Sequence, residues 1–199
     1  MITARYLGPS NYGLLNYACS VITFVVPLAQ LGLRNILVEE IVSKPEREGK
    51  ILGTSLVMSI VSSLFCIIGC IGFVAFANAG ETDTLIVCAL YSVSLIFQMT
   101  ENIQYWYQAK LLSKYTSIVS LAAYTIVSIY KIFLLATGKS IYWFAISYAF
   151  DFFLISASLI FIYRKMGGQK LSFSFPLAKE LFNKSKYFIV SNMMVTLFT

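Results

Sequence analysis

The sequence predicts an all-α protein: a polytopic bundle of transmembrane helices with five complete spans and the start of a sixth. Three observations carry that reading. The 199 residues are 58% hydrophobic and only 12% charged, against about 25% charged in soluble domains, and the mean hydropathy is +0.77. The apolar residues fall in runs that reach the roughly 20 residues a helix needs to cross a bilayer. The cations fall between the runs and crowd every second loop, the pattern that retention of Lys and Arg on the cytoplasmic side produces.

Taken in order, the runs justify each span. Gly8-Pro9-Ser10-Asn11 is a turn, because Pro fixes φ and biases the residue before it away from the helical region. A first span then runs from about Tyr12 to Val38, with its polar groups Gln30, Arg34 and Asn35 gathered toward its far end. The second, about Ile51 to Ala77, carries Ser55, Ser59, Ser62, Ser63, Gly69 and Gly72, small residues that let helix backbones approach closely. The third, about Leu85 to Tyr107, ends in a polar and aromatic cluster: Gln98, Glu101, Asn102, Gln104, Tyr105, Trp106, Tyr107 and Gln108. Trp and Tyr there suit the membrane interface. The fourth, about Tyr115 to Thr137, contains Lys131, and the fifth, about Ile141 to Tyr163, contains Asp151. The last apolar run, Tyr187 to Thr199, is too short to span as written.

Charge sets the expected orientation. Lys44, Arg47 and Lys50, then Lys110 and Lys114, then Arg164 through Lys186 mark the cytoplasmic loops; the others hold only Arg5 and Lys139, with Glu81 and Asp83. In the last cytoplasmic loop, Pro176 to Lys186 spaces Leu177, Leu181 and Phe182 against Lys179, Lys184 and Lys186, as an interfacial helix does; a solvated linker is the other reading. The net charge of +6 follows from this topology rather than from nucleic acid, since no basic patch is interleaved with exposed aromatics. The first residues lack the basic-then-apolar form of a signal peptide. With no His, His-based general-base chemistry and His metal sites are absent, and the acidic groups within spans, Glu101 and Asp151, lie on different helices. No enzyme and no cofactor are expected. Cys19, Cys66, Cys70 and Cys88 lie inside apolar runs and read as small buried hydrophobes, neither disulfides nor metal ligands.

The run Arg5-Tyr6-Leu7-Gly8-Pro9-Ser10-Asn11-Tyr12-Gly13, followed by Pro27-Leu28-Ala29-Gln30-Leu31-Gly32-Leu33-Arg34, resembles the N-terminal signature of Wzx-type oligosaccharide flippases. These belong to the multidrug/oligosaccharidyl-lipid/polysaccharide export superfamily. Trp106-Tyr107-Gln108 resembles that family's W-F-Q-G segment, with Ala109 in place of its glycine, and Lys184 to Asn192 resembles the start of its seventh helix. The resemblance implies a two-lobe transporter. On that basis residues 1–165 are an N-terminal lobe lacking its first helix, 166–186 a cytoplasmic inter-lobe linker, and 187–199 the truncated start of the second lobe.

It also implies movement of a polyprenyl-pyrophosphate-linked oligosaccharide across the cytoplasmic membrane by alternating access, for a cell-surface polysaccharide such as O-antigen. A pyrophosphate and sugars crossing a low-dielectric slab need cations to offset charge and amides or carboxylates to hold hydroxyls. Arg34, Lys131, Gln30, Gln98, Glu101 and Asn102 are the candidate substrate-binding residues, and Asp151 is a candidate for ion coupling or for locking two helices together. The expected partners are membrane lipid, the lipid-linked substrate, a coupling ion (sodium or proton), and the remainder of the second lobe if it is encoded separately. Two alternatives stand beside this: a drug or cation exporter of the same superfamily, and a non-transporting fragment of an interrupted flippase gene.

Overall fold

The structure, a computed structural model, describes residues 2–100 and 102–198. Among them the secondary structure is helical, with no strand: α1 (Ile2–Ala29), α2 (Arg34–Ser43), a 3-10 turn at Pro45–Arg47, α3 (Glu48–Ala77), α4 (Thr82–Ser92), α5 (Ser94–Met99), α6 (Asn102–Ala109), α7 (Ser113–Ala136), α8 (Ile141–Lys165) and α9 (Phe175–Phe198). Five stretches are long and apolar enough to cross a membrane: Tyr6–Ala29, Pro45–Ala77, Thr82–Ala109, Ser113–Ala136 and Ile141–Lys165. They correspond in order to the five spans expected from the sequence. The chain is a multi-pass membrane protein.

The first span differs from expectation at both ends. The Gly8-Pro9 turn is a kink inside α1, with Gly8 at φ 75 and ψ 165, and the helix resumes at Pro9, whose missing N–H is no loss in a first turn. The far end stops at Ala29 rather than Val38. Leu31 and Gly32 both adopt positive φ, 53 and 59, so the chain turns there and starts the separate helix α2. Glycine is required at this corner. A Cβ on Gly32 would stand 2.9 Å from the Ile189 nitrogen and from Phe188 Cβ, where α9 passes against the turn.

The third span is helical in three pieces, α4 to α6, although Val93 and Thr100 bring neither Gly nor Pro. Hydroxyl back-bonds cluster at the breaks. Ser92 Oγ donates to the Cys88 carbonyl at 2.7 Å and Ser94 Oγ to that of Tyr91 at 2.6 Å, while Thr100 Oγ1 donates to that of Phe97. Back-bonding of this kind competes with the helical ladder and bends it.

Two apolar clusters fill the bundle. One joins Leu15, Ala18 and Ile22 of α1 to Val74, Val87, Tyr91 and Phe144. The other joins Leu33, Leu37 and Ile41 to Ile51, Trp106, Tyr107, Leu159, Tyr163 and Leu181. The loops sort by charge with them. At the lysine-rich end Lys110 pairs with Glu48 at 2.8 Å and Gln169 Nε2 donates to the Pro45 carbonyl at 3.1 Å. At the other end Tyr17 Oη donates to Asn78 Oδ1 at 3.0 Å and Tyr142 Oη to Asp83 Oδ1 at 2.8 Å.

The segment after α8 is held against the bundle. It lies as a strap along the first turns of α3: the Gly49 amide donates to Gln169 Oε1 at 3.1 Å, the Ser172 amide to the Gly49 carbonyl at 3.3 Å, and the Ser174 amide to Thr54 Oγ1 at 3.1 Å. Tyr163 Oη closes the strap by donating to the Gln169 carbonyl at 2.8 Å. From Phe175 to Phe198 the chain is one continuous helix, so the expected interfacial helix and the described part of the last apolar run are a single element.

Candidate transport site: a polar belt between two apolar cores

Between the two apolar clusters lies a belt of buried polar side chains: Ser55, Ser59 and Ser63 on α3, Ser92, Ser94, Gln98 and Asn102 on the broken third span, and Ser147 and Ser156 on α8. A polar group in hydrocarbon is costly unless bonded. Most of these hydroxyls solve the problem within their own helix, as Ser55, Ser63 and Ser147 do by donating to the carbonyl three residues back. Two cross between helices. Asn102 Nδ2 donates to Ser59 Oγ at 2.8 Å and lies 3.5 Å from the Ser55 carbonyl, joining α6 to α3. Thr100 Oγ1, whose own hydrogen goes to the Phe97 carbonyl, accepts from Ser156 Oγ, joining the third span to α8.

Against this belt the sequence-derived residues separate. Gln98 is buried and donates to Ser94 Oγ at 3.3 Å, and Asn102 is the α3 staple just described; both amides hold the bundle. Gln30 is half-buried in the α1–α2 turn, and Arg34 is exposed at the start of α2. The Arg34 side chain makes no hydrogen bond or ion pair among the described residues. Glu101 lies outside the described residues. Lys131 on α7 and Asp151 on α8 are each half-buried on helices that pack along one another. Among the described residues no nitrogen–oxygen contact within 4 Å joins them. One Asp151 carboxylate oxygen is enclosed without a hydrogen-bond partner. The two charges therefore form no closed ion pair, with Asp151 midway along α8 and Lys131 nearer the far end of α7.

A second group of charges, which sequence reasoning passed over, sits at the lysine-rich end. Glu40 on α2 has a side chain only 7% exposed, and it accepts from Lys44 at 2.8 Å and from Lys184 of α9. Glu180 adds contacts of 3.6 Å to Lys44 and 3.1 Å to Lys184. Burial pushes the Glu40 carboxyl up, but the hydrogen bonds from Lys184 and then Lys44 outweigh it and hold the group below its ordinary value. The hydrogen bond to Glu40 raises Lys44 and Lys184 in return. The signal for half of this was legible, because Glu40 and Lys44 stand four apart on a helix. The half on α9 was not.

Trp106 and Tyr107, expected at an interface, are core residues. Tyr107 Oη donates to the Leu159 carbonyl at 2.8 Å, and the Trp106 ring stands edge-on to Tyr107 and Tyr163 with centroids 5.0 and 4.9 Å away. No group of three or more His, Cys, Asp or Glu able to hold a metal occurs among the described residues.

The family described as "Polysaccharide biosynthesis protein" matches residues 1–199. The chain belongs to that family. No curated protein and no solved structure matches it. Membership in the Polysaccharide biosynthesis protein family fits a membrane-embedded role in polysaccharide synthesis and export.

Proposed function

We propose that this chain forms part of a flippase that moves polyprenyl-pyrophosphate-linked oligosaccharide from the cytoplasmic to the outer leaflet of the cell membrane by alternating access. The observation that carries the reading is a mid-span carboxylate, Asp151, with an enclosed, unpartnered oxygen, on a helix that packs along the one carrying Lys131, in a chain of a polysaccharide family. Intramembrane charges without a closed partner mark substrate or ion paths. Lys131 offsets anionic charge on the solute, and the Asp151 carboxylate takes a proton or a sodium ion when Lys131 is drawn away.

Arg34 takes the pyrophosphate at the inner mouth, where its planar donor fork suits phosphate and Lys replaces it only as a point charge. Gln30 and Glu101 remain proposed contacts to sugar hydroxyls. Gln98 and Asn102 act by keeping the broken third span in place. The test is export of the lipid-linked sugar by the complete protein in cells lacking it. Arg34→Ala abolishes export and Arg34→Lys weakens it, at equal expression. Normal export by Arg34→Ala reduces Arg34 to a residue that snorkels to headgroups.

A further inference from the structure

An apolar crevice of about 750 Å³ runs between α1 and α3 on the outside of the bundle, with Ile189 of α9 contributing to its lining. Tyr17 and Phe73 flank one end and Leu28 and Leu31 the other, with Cys66 and Cys70 on its wall. Its rims are exposed: Phe65 is 72% and Phe73 58% accessible. From Tyr17 to Leu31 the chain covers about 20 Å at a rise of roughly 1.5 Å per residue, more than the about 15 Å of one hydrocarbon leaflet. A chain filling it passes the bilayer midplane.

The charge at the mouth says what kind of chain that is. Gly32 abuts Phe188 and Ile189, so Arg34 and Lys186 flank the same corner, beside the Leu31 end of the crevice. Arg34 is exposed and unpaired among the described residues, and the Lys186 ammonium lies only over the Tyr187 ring, 5.1 Å from its centroid. Of the acidic groups nearby, Glu40 and Glu180 are already engaged by Lys44 and Lys184, and Glu39, exposed on α2, makes no ion pair with either cation. Two free cations therefore cap a long apolar groove.

We infer that the α1–α3 crevice holds the isoprenoid tail of a polyprenyl phosphate-type lipid, with its phosphate between Arg34 and Lys186, while the sugar takes the polar path. The inference rests on the flippase reading and adds a place for the tail.

Alkylation of Cys66 tests it on the purified chain in phosphatidylcholine nanodiscs, with Cys19, Cys70 and Cys88 replaced by Ala and N-phenylmaleimide as reagent. Polyprenyl phosphate is expected to slow labelling of Cys66 about fivefold, the factor for a ligand at four times its dissociation constant. Neither polyprenol nor phosphatidylglycerol at the same mole fraction should match it, and Arg34→Gln with Lys186→Gln should remove the difference between phosphate and alcohol. A Cβ on Gly69 meets nothing within 4 Å, so Gly69→Leu fills the crevice without a clash and should abolish the lipid effect while the melting temperature holds. Unchanged labelling with polyprenyl phosphate, or equal protection by phosphatidylglycerol, overturns the inference. Protection that persists in a protein shown not to export lipid-linked sugar refutes the transport reading and leaves the lipid site standing.

Discussion

Replacing Gly53 by Ala should release the strap from α3. A Cβ at Gly53 would stand 2.5 Å from the Ser172 nitrogen and 2.6 Å from its carbonyl oxygen, and both are backbone atoms with no rotamer to change. The strap must move, and the bonds from the Ser172 amide to Gly49 and from the Ser174 amide to Thr54 go with it. At a net of about 0.5–1.5 kcal/mol each, their loss amounts to about 1–3 kcal/mol, or roughly 5- to 150-fold in the local opening equilibrium. Global melting is a poor readout, because Ala in place of Gly in a helix returns about 1 kcal/mol and the two effects largely cancel. Hydrogen exchange at the Ser172 and Ser174 amides separates them. Exchange there should accelerate by that factor in Gly53→Ala and stay unchanged in Gly69→Ala, where the added methyl meets nothing within 4 Å. Protection retained in Gly53→Ala would refute the docking of the strap on the α3 glycines.

Four other outcomes are expected. Because Glu40 is held below its ordinary 4.5, its contribution is complete at neutral pH and is lost as pH falls through that lowered value; exchange across 180–186 should rise in acid, and Glu40→Gln should show the risen level already at pH 7. Asn102→Leu removes the Ser59 staple and should lower stability in detergent by about 0.6–1.7 kcal/mol, the range for hydrogen bonds between membrane helices; no loss would mean the amide is free for substrate. Tags near Arg47, Lys114 and Lys170 should be cytoplasmic and those near Asn78 and Lys139 external; labelling of a Cys at position 47 by an impermeant reagent in intact cells would reverse the topology. The exchange Lys131→Asp with Asp151→Lys should fail to restore export in the complete protein, whereas full export by the swapped pair would make the two residues a helix lock only.

Much of the fold was legible because hydropathy and loop charge act over whole segments: the second, fourth and fifth spans need only length and composition. The misjudged boundary, Val38 for Ala29, has a local cause. Nothing apolar ends at Gln30, and the turn exists because Gly32 lets α9 pass within contact distance, a constraint set by residues more than 150 positions away in the chain. The strap was illegible for the same reason. Gly49 and Gly53 read as ordinary small residues until Gln169 and Ser172 are seen on top of them. The breaks in the third span, by contrast, had a sequence signal in Ser92-Val93-Ser94 and Thr100, since hydroxyls can draw carbonyls out of the ladder.

Site residues were harder, because residue type gives the capacity to bind and only packing says whether that capacity is already used. Gln98, Asn102 and Arg34 look alike as polar groups near span ends, yet the two amides are bonded inside the bundle and the guanidinium is free. Glu40 and Glu48, buried carboxylates at the lysine-rich end, are each met by lysine. Well inside the spans, the described charges are Lys131 and Asp151. A bundle built only for stability would close such a pair, since an intramembrane charge is expensive and a Lys stem is long and flexible. Here an enclosed oxygen of Asp151 has no donor and Lys131 stays beyond ion-pair distance. Under the proposed flippase reading an unclosed pair of this kind is more useful than a closed one, because a cation or proton arriving at Asp151 and an anion arriving at Lys131 would each complete it in a different way, and binding of one would change the field felt by the other.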